Sequence, residues 1–243
     1  MAAPQATARA AGRNIPGGML GALIVRLEGP LKVAEPHART WLRRLLWLLV
    51  IAPIAWMISQ FVFDQLGAEP IKKLEKESGE WALRLLAASL AVTPLMRLTR
   101  WGWLVPERRF LGLAAFFYAL GHLSVYVVLD WFFDWNEIVK DVLEHLYVTV
   151  GMLGFVLMIP LALTSSKRSI RWLGGKKWNR LHQLVYVSAV AGCVHFLWGV
   201  KKDIEEPLIY IAVFVSLFAF RAYWWWSTRS RLDVTRADAV RTV

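Results

Sequence analysis

The sequence predicts an all-α integral membrane protein, a six-helix transmembrane bundle with both termini cytoplasmic, and three observations predict it. The first is composition: 57% hydrophobic residues, a mean hydropathy of +0.42 and only 19% charged residues in 243 exclude a disordered chain and disfavour a soluble α/β or all-β enzyme. The second is the presence of six apolar runs, each near the roughly 20 residues that a helix needs to cross a hydrocarbon core of about 30 Å. The third is the sorting of charge between those runs, which sets orientation. One cysteine, Cys193, excludes a disulfide framework and a cysteine-based zinc or iron–sulfur site.

The elements follow in chain order. Residues 1–40 read as a flexible basic cytoplasmic arm, residues 41–226 as the six-span membrane domain, and 227–243 as a cytoplasmic tail. Span one covers about 45–63. Span two, about 81–97, carries Arg84 one turn from its outer end and Thr93-Pro94, where a missing backbone donor bends the helix. Span three, about 110–133, contains His122 and ends near Asp130; span four, about 146–165, opens beside His145 and contains Pro160. Span five, about 181–200, carries His182, Gly192 and His195, and span six, about 207–226, ends in Trp224-Trp225-Trp226. Asp130 and Arg221 read as interface residues, and most tryptophans mark span ends as an aromatic belt.

Lys and Arg alternate between the gaps. The N-terminal arm holds seven, the gap after span two four, the gap after span four six and the tail four, which is 21 of the 29 on one side. The remaining gaps hold six, and twelve of the 18 acids lie there. The positive-inside rule therefore assigns both termini to the cytoplasm. The net charge of +11 reads as topology plus attraction to anionic membrane lipid, and not as a nucleic-acid surface.

Titratable side chains at bilayer depth are costly, and so each is a functional candidate. At 1.5 Å per residue, His122 lies roughly 18 Å past Phe110 and His195 roughly 22 Å past Arg180, which puts both near one level in the outer half of the membrane. Two imidazoles from different helices at one depth suit axial ligation of a haem iron. His182 lies about 20 Å below His195 and suggests a second redox station. On an ideal helix, however, His182 and His195 point roughly 140° apart, so Gly192 bends the helix or the two stations use different flanks. Zinc fits less well, because no carboxylate or second thiol shares the depth of His122 and His195. A proton relay would show acids in mid-membrane, and the expected spans contain only Asp130, near an end. Arg84 is a candidate partner of a haem propionate, with snorkelling to the interface as its alternative. The rival from another class is a transporter or scaffold whose histidines serve packing or proton handling, and it predicts a colourless protein.

Five segments carry a resemblance: Arg108-Arg109-Phe110-Leu111-Gly112-Leu113, Gly121-His122-Leu123, Leu161-Ala162-Leu163-Thr164-Ser165-Ser166, the run from Trp178-Asn179-Arg180-Leu181-His182 to Tyr186, and His195-Phe196-Leu197-Trp198. Together they resemble the MsrQ (YedZ) family of ferric-reductase-like transmembrane proteins, from about Gly67 to Tyr210. The resemblance implies a b-type haem subunit, catalytically inert by itself, that relays electrons across the bacterial inner membrane to a periplasmic molybdopterin methionine sulfoxide reductase. It also implies FMN as an additional cofactor and, as electron donor, the quinone pool or a cytosolic flavin reductase. His122, His182 and His195 match the family's haem-associated histidines. The chain departs from the family pattern at Glu144-His145-Leu146-Tyr147, where relatives carry a basic residue and Pro before Tyr.

Span three offers no second histidine to pair with His182. An inner haem would need another axial partner, or His182 touches FMN, quinone or a propionate instead. The chain has no dinucleotide-binding Gly-rich turn, so electrons are expected from a lipid-soluble carrier or a separate flavoprotein. A stand-alone ferric or quinone-linked reductase is the rival within the redox class.

Overall fold

The computed structural model describes residues 36–200 and 203–241, with side chains described for 37–200 and 203–228. All regular elements among these residues are helical, and six helices are long and apolar enough to cross a membrane. We number them α1 (Pro36–Val62), α2 (Pro70–Thr99), α3 (Val105–Ser124), α4 (Trp135–Glu144), α5 (Leu146–Leu163), α6 (Lys167–Leu173), α7 (Gly175–Leu181), α8 (Leu184–Gly199) and α9 (Glu205–Arg241). A short 3₁₀ turn, Gly102–Leu104, leads into α3, and a π-helical segment, Val125–Asp130, continues it. The end of the bundle with the Lys/Arg-rich connections is called the basic end, and the opposite end the acidic end. The expected arm falls largely on residues outside the described ones, although α1 already begins at Pro36. The expected tail begins inside α9, which runs on to Arg241.

Two tight pairs form the bundle, α2 against α3 and α5 against α8, with α9 closing on α2 and α8. Leu85 and Leu90 of α2, Ala115 and Tyr118 of α3, Ala189 of α8 and Phe214 of α9 are buried at the centre. Between α5 and α8 the contact is made by small residues: a Cβ on Gly154 would stand 3.2 Å from the Ala191 methyl, and Ser188 Oγ donates to Gly154 O at 2.8 Å. In lipid the tails compete with side chains for apolar contact, so close backbone approach and hydrogen bonds are what hold helices together. Large apolar side chains such as Trp56, Phe117, Leu153 and Trp225 face outward, as a bilayer solvent allows.

Four departures from the sequence reading have local causes. Helix α2 begins eleven residues before 81, at Pro70, whose fixed φ suits a first turn, so the charged stretch Lys72 to Glu80 is helical. At 30 residues the helix is about 45 Å long, longer than the roughly 30 Å that a crossing needs. Asp130 is consequently not the sole acid on a spanning helix: Glu80 is buried there, its charge met by Arg84 at 2.7 Å and Lys76 at 3.7 Å. The acidic connection before α5 folds into α4, capped by Asp134, whose Oδ1 accepts from the backbone N–H groups of Asn136 and Glu137. Span five is not one helix: α7 stops at Leu181, His182 and Gln183 form a turn, and α8 restarts at Leu184. The 140° separation computed on an ideal helix therefore does not apply.

Arg221, near the basic end, is more than a solvated interface residue. It points into the bundle, where Nη1 donates to Tyr186 OH and Nη2 donates to Leu90 O at 2.6 Å. Pro94 and Pro160 both sit inside continuous helices; after Pro160 the hydroxyl of Thr164 donates back to its carbonyl at 2.6 Å.

Candidate haem site

His122 of α3 and His195 of α8 come together across the bundle, their ring centroids 6.0 Å apart and their planes inclined by 75°. Each ring is anchored through Nδ1 to a backbone carbonyl of the partner helix in its own pair. His122 Nδ1 lies 2.9 Å from Glu75 O of α2, and His195 Nδ1 lies 2.7 Å from Tyr147 O of α5. A carbonyl only accepts, so Nδ1 carries the proton in both rings and Nε2 keeps its lone pair. Neither Nε2 has a hydrogen bond among the described residues. Two neutral imidazoles with free Nε2 atoms are the donor set that a metal porphyrin takes as axial ligands.

The close approach depends on glycine in both pairs. Gly79 stands four residues after Glu75, and a Cβ there would meet His122 Nδ1 at 3.3 Å. Gly151 stands four residues after Tyr147, and a Cβ there would meet His195 Nδ1 at 2.5 Å. Each histidine thus lies in a notch, with a carbonyl at one helix position and a missing side chain one turn later. Tyr147 stacks on His195 at 5.9 Å, and Ser78 Oγ lies 3.4 Å from His122 Nδ1.

Both rings line a cavity of about 540 Å³ enclosed by α2, α3, α5 and α8. Its deeper walls are apolar, from Leu83, Leu86, Phe155, Met158 and Phe196. Its acidic end is polar, with Lys72, Glu75, Lys76, Asp130, Trp131 and Asp141. Two buried polar atoms there, Trp131 Nε1 and Glu75 Oε1, have no hydrogen-bond partner among the described residues. Unpaired buried polar atoms are costly. An apolar slot with paired imidazoles and an unspent donor at its polar end fits a flat apolar macrocycle with a polar edge. Helix α4 closes this end: Tyr126 OH donates to Asp141 Oδ2 at 2.6 Å, and Asp141 Oδ1 meets His145 Nδ1 at 2.8 Å.

The other two candidates stand apart from the cavity. His182 is at the basic end, its ring stacked on Trp178 at 3.8 Å. Because Thr164 Oγ1 spends its hydrogen on Pro160 O, it accepts from His182 Nε2 at 3.1 Å. Trp178 Nε1 donates to Thr164 O at 2.9 Å, so the turn that breaks span five is tied to the end of α5. Arg84 does not line the cavity. Its guanidinium is spent on Glu80 Oε2 at 2.7 Å and Tyr210 OH at 2.8 Å, and it lies over the Trp81 ring at 4.9 Å.

Reading residue types missed Gly79, Gly151 and Trp131. For Gly151 the available signal was a glycine within an apolar run, which marks close backbone approach; Gly79 lies in the charged stretch read as a connection and carried no such signal.

The geometry can now be set beside known proteins. The family described as the ferric reductase like transmembrane component matches residues 78–193, which include most of the helix pairs around the cavity and stop two residues before His195. The haem-binding subunit MsrQ of the protein-methionine-sulfoxide reductase from Herminiimonas arsenicoxydans is 42% identical over 199 residues, 81% of this chain and 91% of that protein. The MsrQ subunits of Caulobacter vibrioides and Rhodospirillum rubrum are 47% and 46% identical, over 74% and 70% of this chain and 85% and 82% of their own lengths. The chain belongs to the MsrQ family. No solved structure matches it. As an MsrQ protein with six apolar spanning helices it is a multi-pass protein of the inner membrane.

Proposed function

We propose that this chain is the b-type cytochrome subunit of a methionine sulfoxide reductase system, an electron-transfer component and not the catalytic subunit. The observation that carries the proposal is the pair of Nδ1-anchored imidazoles, His122 and His195, sharing one cavity between two helix pairs. These two residues would hold the haem iron, and the bound haem would supply reversible one-electron chemistry in a low-dielectric shell. The protein's part is positional. Glu75 O and Tyr147 O fix the tautomer and orientation of each ligand, the apolar walls exclude water, and Trp131 Nε1 offers a hydrogen bond at the polar end. Arg84 acts through Glu80, which lines the cavity, and not by direct contact.

On the positive-inside reading the basic end and both termini face the cytoplasm and the haem site lies near the periplasmic face. Electrons leave there for a periplasmic molybdopterin methionine sulfoxide reductase. They arrive at the basic end from the quinone pool or a flavin reductase, with His182 as the second station and FMN as an additional cofactor, as the resemblance of the sequence motifs implies. The deciding experiment is an oxidised and dithionite-reduced visible spectrum of the purified full chain with haem per chain quantified. A b-type spectrum lost in both His122→Ala and His195→Ala is expected. A colourless wild type after expression with ample haem would sink the proposal.

A further inference from the structure

At the basic end, helices α2, α3, α8 and α9 converge around two arginines without an acidic partner. Ser89 Oγ of α2 donates to the backbone carbonyl of Arg108, at 2.8 Å, and the next carbonyl of α2, Leu90 O, accepts from Arg221 Nη2 at 2.6 Å. Neighbouring residues of one helix thus hold Arg108, in the first turn of α3, level with Arg221 of α9. Arg221 Nη1 donates to Tyr186 OH, and Tyr186 stands one turn beyond His182 on the same chain segment.

The charges of this cluster are unbalanced. From the helices and turn packed against it, the charged and titratable groups that act on Arg108 are Arg221, Tyr186 and His182, and Arg221 also neighbours Arg97, whose guanidinium covers the Trp224 ring at 4.6 Å. No carboxylate is among them. The Arg108 guanidinium is partly buried, yet it makes no hydrogen bond, ion pair or ring contact among the described residues. Arg221 Nε is buried and has no hydrogen-bond partner among the described residues. Buried cations are paired as a rule, because an unpaired charge in a low-dielectric setting is expensive. At the acidic end the cations of α2 are paired, since Arg84 has Glu80 and Lys76 has both Glu80 and Glu206.

We infer that Arg108 and Arg221 form an anion site at the basic end of the bundle, and that its ligand is a phosphate group. The chemistry follows from the donors left over. The unspent fork of Arg108 presents several N–H donors and Arg221 adds a second positive charge beside it, which a tetrahedral phosphate with two or more free oxygens satisfies as a charge-assisted acceptor. The depth agrees: Arg221 stands 16 residues after Glu205, about 24 Å along α9, which brings it close to the headgroup layer on the basic side. The phosphate comes from an anionic lipid headgroup or from a soluble phosphate ester. The inference does not depend on the haem reading.

The test uses the full chain in phosphate-free detergent buffer. Inorganic phosphate binding is followed by calorimetry, and phosphatidylglycerol retention by native mass spectrometry after release from nanodiscs of phosphatidylcholine and phosphatidylglycerol. Arg108→Gln is expected to lose roughly tenfold or more in whichever binding the wild type shows. Arg108→Lys keeps the charge without the fork and is expected to fall between the two, and it also serves if Arg108→Gln misfolds by gel filtration and circular dichroism. Arg109→Gln, at an exposed neighbour, is expected to match the wild type. Retained phosphatidylglycerol with weak inorganic phosphate binding identifies a lipid headgroup, and the reverse identifies a soluble ester. Equal binding in both assays by wild type, Arg108→Gln and Arg109→Gln would overturn the inference, as would a wild type that binds neither.

Discussion

The histidine notches turn a small substitution into a sharp test. A Cβ at Gly151 would lie 2.5 Å from His195 Nδ1, closer than atoms approach without displacement, whereas at Gly79 the gap to His122 is 3.3 Å and a shift of a few tenths of an ångström suffices. Gly151→Ala is therefore expected to weaken haem retention about ten- to a hundredfold, the range for groups that orient a metal ligand, and Gly79→Ala much less. Haem per chain and the low-spin spectrum of each purified variant check this, and equal retention in the two would remove the notch argument. Trp131→Phe tests the polar end separately. If Trp131 Nε1 donates to the porphyrin edge, the variant keeps its ligand spectrum but loses haem faster to apomyoglobin in a transfer assay, by a factor of roughly ten to a hundred for one hydrogen bond to a charged group. The depth of His122 and His195 was legible because the helical rise is constant and two large polar side chains stand out in apolar runs. The notches were not, because a glycine signals close approach without saying to what.

Helices were legible where one physical signal dominated. Apolar runs of spanning length showed all six crossings. The early start of α2 was hidden because Lys72 to Glu80 read as a polar connection, although Pro70 opens a helix well there. The break at His182 and Gln183 left no glycine or proline in the sequence; it is held by tertiary contacts to Thr164 and Trp178 that no local pattern encodes. The α5–α8 seam supplies the prediction at this scale. Ser188 is buried, and its hydrogen bond to Gly154 O joins two spanning helices. Ser188→Ala should cost about 1 kcal/mol, as such bonds do between membrane helices. Gly154→Val should cost more, since its side chain has the Ala191 methyl and the Ser188 carbonyl within 3.2 and 3.5 Å of the first added carbon. Thermal unfolding of the detergent-solubilised protein, followed by circular dichroism, ranks the two, and a milder effect at Gly154 would argue that the seam is looser than described.

Across the whole molecule, charge runs in one direction. At the acidic end Lys76 bridges Glu80 and Glu206, joining α2 to α9, and Arg84 joins Glu80 to Tyr210 on the same two helices. At the basic end Arg221 ties α9 back to α2 and α8 with no acid involved. The lock at the acidic end is thus an ion-pair network, and the lock at the basic end is a set of arginine hydrogen bonds, which is the same asymmetry that the positive-inside rule reads from the loops. The resulting orientation can be measured because the sole cysteine, Cys193, is buried within α8 and offers little background to thiol reagents. Cysteines placed at Asn136, in the first turn of α4, and at Ser169, in α6, stand at opposite ends of the bundle. A membrane-impermeant maleimide applied to spheroplasts is expected to label Asn136→Cys at once and Ser169→Cys only after the membrane is broken. The opposite order would invert the topology, move the haem site to the cytoplasmic side and remove the outward path for electrons, whatever the visible spectrum showed.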